Sequence, residues 1–265
     1  MRLCSIASGS SGNCIYVGSD ATHLLVDTGI SGKRMVSGVE SLGIKPSELD
    51  GILITHEHSD HISGLGVMAR KYEIPIYTTK ETYEAIIQDK KIGLLPEGLF
   101  HEVRYDEKFI LKDMEIYPVR ISHDAKKPVA YRVGCEKKKV GILTDLGNFN
   151  DYIVECMSNL DAVLLEANHD VNMLQVGPYP YYLKQRILGD RGHLSNELCG
   201  RLLDRILHNG TKQVLLGHLS KENNMPELAY ETVRLEIDMS DSPYKAKDFH
   251  LSVAKRSEVT DVIEI

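Results

Sequence analysis

Thr55-His56-Glu57-His58-Ser59-Asp60-His61 follows directly on the apolar run Gly51-Ile52-Leu53-Ile54. Three histidines and an aspartate this close together rarely occur unless a cation gathers them. In an extended chain the side chains at i and i+2 point the same way, so His56 and His58 can hold one metal ion together. Asp60 and His61 fall where the chain turns into a helix beginning near Ile62, and that turn can aim them at a second ion. Imidazole with carboxylate suits zinc, iron or manganese, and manganese is favoured as oxygen ligands become more numerous.

Outward from this stretch, short apolar runs bounded by turn residues recur along the chain: CIYVG, THLLVD, GILITH, IPIYTT, EIYPVRIS, VAYRVG, KVGILTD, DAVLLEA, KQVLLGH and FHLSVA. Runs so short and rich in Val, Ile and Leu read as buried strands. Helical periodicity lies between some of them, over Ile62 to Lys71, Lys80 to Gln88, Tyr152 to Ser158 and Asn196 to His208, the last with Asn209-Gly210 as its stop. The pattern predicts an α/β (α+β) fold of two layered sheets covered by helices. No linker or low-complexity tract divides the sequence, so residues 1–265 are expected to form a single domain. Nearly every strong run ends in a histidine or an acid: Asp27, His56, His123, Asp145, Glu166 with His169, and His218. Strand ends converging on one sheet edge would gather these groups into one site.

Composition narrows the function. With 31 Lys+Arg against 38 Asp+Glu the formal charge is −7, which argues against gripping nucleic acid by bulk positive charge. The five cysteines form no CxxC pair and read as buried, reduced thiols. The opening MRLCSIASGSSGN has no apolar core of a signal peptide, and no segment approaches the length of a membrane span, so a cytoplasmic protein without membrane contact is expected.

The HxHxDH pattern after a strand resembles the signature of the metallo-β-lactamase superfamily, and the resemblance covers most of the chain. It implies an αββα four-layer sandwich, two packed mixed sheets flanked by helices. It implies His56, His58, His123 (in RISHDA) and Asp145 (in ILTDLG) on one metal ion, and Asp60, His61, Asp145 and His218 (in LLGHLS) on another. Asp27, in LLVDTG, matches the aspartate that orients the histidine loop from behind. Two such ions would hold a hydroxide as nucleophile and stabilise both oxygens of a displacement at phosphorus. Asp60 is then a catalytic residue as well as a ligand. Asp145 disfavours true β-lactamases, which lack that carboxylate, and SHDAKKP differs from the third motif of the glyoxalase II type.

GHLS occurs twice, at 192–195 and 217–220. His218 ends a strand like the other expected ligands. His193 lies in a loop just before Ser195 and Asn196, which read as N-caps of the helix Asn196 to His208. In related transfer-RNA 3′-processing enzymes and phosphonate-pathway phosphodiesterases an HxS motif stands in this place, which implies that His193 binds the scissile phosphate or protonates the leaving oxygen. Ser195 would join it in substrate binding. Glu166 and His169 end a strand near the site, either to support metal or substrate from behind or as plain structural hydrogen-bonding groups. Ser10, Ser11 and Asn13 belong to a turn-rich loop that can cradle a phosphate or be an ordinary hairpin turn. Lys184, Arg186 and Arg191 either track a phosphate backbone or form a solvated face.

SIASGSSGNCIYV, LLEANHD, PYYLKQRILGDRGHLSN and LLGHLSKENN are similar to one branch, the YycJ/WalJ-type proteins. That resemblance implies a 5′-to-3′ double-stranded DNA exonuclease with two divalent metal ions, zinc or manganese with iron possible, tied to DNA repair and cell-wall signalling. The alternatives are an RNA-processing or small cyclic-nucleotide phosphodiesterase and, in another class, a metal-binding regulatory module acting through a partner. The oligomeric state stays open.

Overall fold

The structure, a computed structural model, describes residues 1–265. Each of the apolar runs forms a strand. The first sheet contains β1 (Arg2–Ala7), β2 (Cys14–Gly18), β3 (His23–Val26), β4 (Gly51–Leu53), β5 (Ile76–Thr78) and β6 (Phe100–Glu102). The second contains β7 (Phe109–Leu111), β8 (Met114–Arg120), β9 (Val129–Cys135), β10 (Lys138–Leu143), β11 (Ala162–Glu166), β12 (Gln213–Gly217) and β13 (His250–Val253). The chain then returns to the first sheet as β14 (Ile263–Glu264), antiparallel to β1.

Both sheets are mixed in the same way. In the first, β1, β2 and β3 form an antiparallel meander, and β4, β5 and β6 continue in parallel from β3. In the second, β7 to β10 form the meander, and β11, β12 and β13 continue in parallel from β10. Parallel neighbours need crossover connections, and the helices are largely those connections. They are α1 (Gly32–Ser41), α2 (Ser59–Ile62), α3 (Leu65–Tyr72), α4 (Lys80–Gln88), α5 (Asp151–Cys156), α6 (Val171–Val176), α7 (Tyr181–Leu188), α8 (Asn196–Ile206) and α9 (Pro226–Met239).

Three apolar cores result. Between the sheets Val17, Leu24, Val26 and Leu53 pack with Val133, Ile142, Leu164 and Leu215. On the outer face of the first sheet Met35, Val39, Leu65 and Met68 from the helices meet Ile6, Ile52 and Ile76. On the outer face of the second, Leu202, Leu203, Val233 and Ile237 meet Leu165, Val214 and Leu216. Helix, sheet, sheet, helix is thus the order of layers, as the sequence led one to expect.

Local boundaries differ from the sequence reading in three places, one being the helix expected over Tyr152 to Ser158, which runs Asp151–Cys156. The periodic stretch from Ile62 to Lys71 is broken at Gly64, where a Cβ would collide with the Ile30 carbonyl and the Met35 side chain. The helix expected to run to His208 ends at Ile206, because Leu207 is already extended. Ser195 caps that helix, its hydroxyl accepting from the Leu198 N–H at 3.2 Å. All five cysteines are free thiols and four are buried.

Candidate metal centre and active site

Every expected ligand emerges from the C-terminal end of a strand. His56 to His61 follow β4, His123 follows β8, Asp145 follows β10 and His218 follows β12. Two bonds from the second sheet pin the start of the histidine stretch: the Tyr131 hydroxyl donates to the Ile54 carbonyl at 2.9 Å, and the Val129 N–H donates to Thr55 O at 3.0 Å. Three strand exits make the same sharp turn. Asp27, Asp145 and His218 all adopt left-handed backbone, with φ of 63°, 59° and 55°, a region that costs a non-glycine residue about 1 kcal/mol or more. Strain repeated at three site residues marks a geometry held for use.

The seven expected ligands come together in one cluster. His56 Nε2 and His58 Nδ1 are 3.0 Å apart, and His123 Nε2 is 3.3 Å from His58 Nδ1. Beside them Asp60 Oδ2 lies 3.4 Å from both His61 Nε2 and His218 Nε2. Asp145 stands between the two groups: Oδ1 is 3.6 Å from His123 Nε2 and from His218 Nε2, and Oδ2 is 3.0 Å from His61 Nε2. Ligands bound tetrahedrally at the usual metal–nitrogen and metal–oxygen lengths are separated by about 3.4 Å. Asp145 Oδ2 is buried, and His61 Nε2 beside it is poorly aligned as a donor. Its lone pairs and those around it therefore converge on shared points, which is the donor arrangement a cation requires.

The far nitrogen of each buried imidazole is fixed by the protein. His61 Nδ1 donates to Asp27 Oδ2 at 2.7 Å, and His123 Nδ1 donates to Gly192 O at 3.0 Å. His56 Nδ1 is 3.0 Å from Thr55 Oγ1, which itself donates to Asp27 Oδ2 at 2.8 Å. Such partners set the tautomer and turn Nε2 toward the cluster, where it could bind a metal. Thr55 escaped the sequence reading, although it opens the decisive stretch.

Electrostatics divides the histidines. Burial, with the neighbouring His61, pushes His56 well below the usual imidazole range, and burial lowers His123. Burial also opposes charge on His61 and His218, but Asp145 and the other carboxylates outweigh it, raising His61 well above the usual range and His218 to about 10.

Glu166 joins the two GHLS histidines. Fully buried at the end of β11, its Oε1 accepts from His193 Nδ1 at 2.7 Å and from His218 Nδ1 at 2.8 Å. Its Oε2 accepts from the N–H groups of Leu146 and Leu194 at 2.9 and 3.3 Å. Burial works against its charge, but His193 and His218 hold it ionised, at about 2. His193 is raised in turn, since Glu166 and Asp145 overcome its desolvation. His169 is buried with both ring nitrogens unpartnered, and Ser195 lies beside it.

The β1–β2 loop is placed differently from a free phosphate cradle. The N–H groups of Ser8, Gly9, Ser10, Gly12 and Asn13 all go to protein acceptors. Asn13 is buried, with Nδ2 3.2 Å from His61 Nε2, while Ser10 and Ser11 are exposed. Arg256, for which the sequence offered no signal, donates to Leu219 O at 2.7 Å and approaches Ser11 Oγ at 3.4 Å. Of the other cations, Arg191 donates twice to the His123 carbonyl, at 3.1 Å, Arg186 pairs with Asp124, and Lys184 donates to Gln175 O at 2.7 Å.

A family model described as a β-lactamase superfamily domain matches residues 22–219. The chain belongs to the metallo-β-lactamase superfamily of metal-dependent hydrolases. It is similar to exodeoxyribonuclease WalJ of Streptococcus pneumoniae, 44% identical over 236 residues that span 89% of this chain and 88% of the relative. Exodeoxyribonuclease YycJ of Bacillus anthracis is 39% identical over 236 residues, 86% of each chain. Among solved structures, the metallo-β-lactamase fold protein YhfI from Bacillus subtilis superposes with a TM-score of 0.69 at 17% identity, over 98% of this chain and 99% of that one.

Proposed function

We propose that this chain is a metal-dependent exodeoxyribonuclease that hydrolyses phosphodiester bonds of double-stranded DNA in the 5′-to-3′ direction, in the cytoplasm. Its similarity to two exodeoxyribonucleases over most of its length supports a nucleic-acid substrate. No helix is long and apolar enough to cross a membrane. The single observation that carries the chemistry is the carboxylate of Glu166 shared between His193 and His218.

In this reading His56, His58, His123 and Asp145 would hold one divalent cation, and Asp60, His61, Asp145 and His218 would hold a second, of the zinc or manganese type. When bound, such ions lower the pKa of water and offset charge on the phosphate. Asp60, whose side chain is 24% exposed where that of Asp145 is 3%, takes the proton of the attacking water. Glu166 keeps a proton on Nδ1 of both its partners. For His218 that leaves the Nε2 lone pair to the cation. For His193 it stabilises the imidazolium, whose Nε2–H meets the phosphate and passes its proton to the leaving oxygen. Ser10, Ser11 and Ser195 offer hydroxyls to the substrate backbone.

Incubation with end-labelled linear duplex, single-stranded DNA, RNA and bis(p-nitrophenyl) phosphate, with Mn²⁺ or Zn²⁺ and with EDTA, tests this reading. Chelator-sensitive shortening of duplex from its 5′ ends is expected, and no chelator-sensitive cleavage of any substrate overturns it. His193→Ala is expected to keep its metal by elemental analysis while kcat falls by about 10² to 10⁴. His218→Ala is expected to lose metal. Equal metal loss in both variants would refute the division of labour.

A further inference from the structure

Behind His193, away from the ligand cluster, a cavity of about 390 Å³ opens at the start of α8. His169, Asn172, Glu197, Leu188 and Leu198 line it together with His193. His169 is 1% exposed and neither ring nitrogen has a hydrogen-bond partner. Oε2 of Glu197 is likewise buried and unpartnered. Leaving buried polar atoms unpaired is destabilising, and groups left so in a native fold ask for a missing partner.

The chemistry of the wall selects that partner. A helix N-terminus alone would favour an anion, but here it carries the Glu197 carboxylate. The nearby Arg201 guanidinium is already 3.3 Å from Glu236. Burial pushes His169 down to about 4, so it is neutral and offers one donor and one acceptor. Leu188 and Leu198 add apolar surface. Apart from His193 at its edge, whose charge is taken by the substrate phosphate in the phosphodiesterase reading, the wall offers an anion little, whereas a flat heterocycle with mixed donors and acceptors finds both apolar faces and polar edges.

We propose that this cavity is a nucleobase pocket, which takes the base of a nucleotide whose phosphate lies against His193, with His169 and Asn172 hydrogen-bonding the base edge. The inference rests on the phosphodiesterase reading and adds a place for the substrate's base. A neutral imidazole and an amide can each donate and accept, so the pocket accommodates more than one base, as an exonuclease that removes successive nucleotides requires.

Two measurements test it. In the metal-loaded enzyme, the ratio of kcat/KM for thymidine 5′-(p-nitrophenyl phosphate) to that for bis(p-nitrophenyl) phosphate, which has no base, should fall about tenfold in His169→Ala and in Asn172→Ala, mainly through KM. An unchanged ratio, with both substrates affected alike, overturns the pocket and leaves His169 a structural role. In the metal-free protein, titration calorimetry should show thymidine binding that His169→Ala and Asn172→Ala weaken by a similar factor. Should the loaded enzyme cleave no phosphodiester at all, the nuclease reading fails, and the calorimetry still decides the pocket: absence of thymidine binding refutes it.

Discussion

Glu166 makes His193 and His218 a coupled pair, one on the substrate side and one on the metal side. Glu166→Gln removes the charge that raises His193, so the imidazolium loses its proton at lower pH. The alkaline limb of the kcat/KM profile is therefore expected to move to lower pH, and metal affinity to fall by about 10- to 100-fold through His218. A pH–rate profile with parallel metal titration checks both. At this scale the sequence was most informative about groups at strand ends, since a histidine or aspartate after an apolar run needs no tertiary knowledge to be noticed. It marked Glu166 as a supporting residue but not as a fork. That role depends on β11 lying beside β12 and on the loop from Gly189 bringing His193 back, neither of which leaves a local signal. Thr55 and Arg256 were missed for the same reason: their partners, Asp27 and Leu219, are distant in the chain.

Among the elements, the two sheets repeat one device. The last strand of each meander ends in an aspartate with left-handed backbone, Asp27 after β3 and Asp145 after β10, and a glycine follows two residues on. A Cβ on Gly29 would strike the Asp60 carbonyl, and one on Gly147 would strike the backbone of Asp190 and Gly192. Each glycine thus lets the segment bearing a functional histidine, His61 or His193, press against the aspartate turn. Gly29→Ala must push the Asp60–His61 backbone away, and is expected to destabilise the fold by about 1–3 kcal/mol in urea unfolding and to lower the bound metal. Wild-type stability and full loading in this variant would refute the packing role. The buried strands other than β1 were legible from their apolar runs, and the helix over Lys80 to Gln88 from its period. The edge strands β6, β7 and β14 are too short for a pattern, and α6 and α7 flank Gly177-Pro178-Tyr179-Pro180, whose composition reads as loop.

For the molecule as a whole, the first sheet supplies His56, His58, Asp60 and His61, and the second supplies His123, Asp145 and His218. A cation bound by both sheets stabilises the folded state by mass action, so EDTA should lower Tm. The metal-free protein should also respond to pH. His218, His61 and His193 have folded values above those of the unfolded chain, so the stability they confer is complete below about pH 6.5 and is lost as pH rises through the folded values, for His218 about 10. His56 and His123, lowered on folding, are neutral in both states above that point. The Tm of the metal-free protein should therefore fall from pH 7 to pH 9, and a rise, read by calorimetry, would contradict the assignment. Two sheets covered by helices were legible from the apolar runs in both halves with helical periodicity between them, and the αββα order of the layers was implied by the resemblance to the metallo-β-lactamase superfamily. The matching order of strands in the two sheets was not legible, since it lies in pairing and crossover, not in any repeated motif.

That division of ligands between sheets has a practical corollary. A chain cut in the turn between Arg104 and Lys108 separates β6 from β7, leaving four of the donors on one fragment and three on the other. Neither piece could complete a coordination shell alone. Divalent metal would then act as the input, and recombination of the halves as the output, of a two-component reporter built from the native sequence.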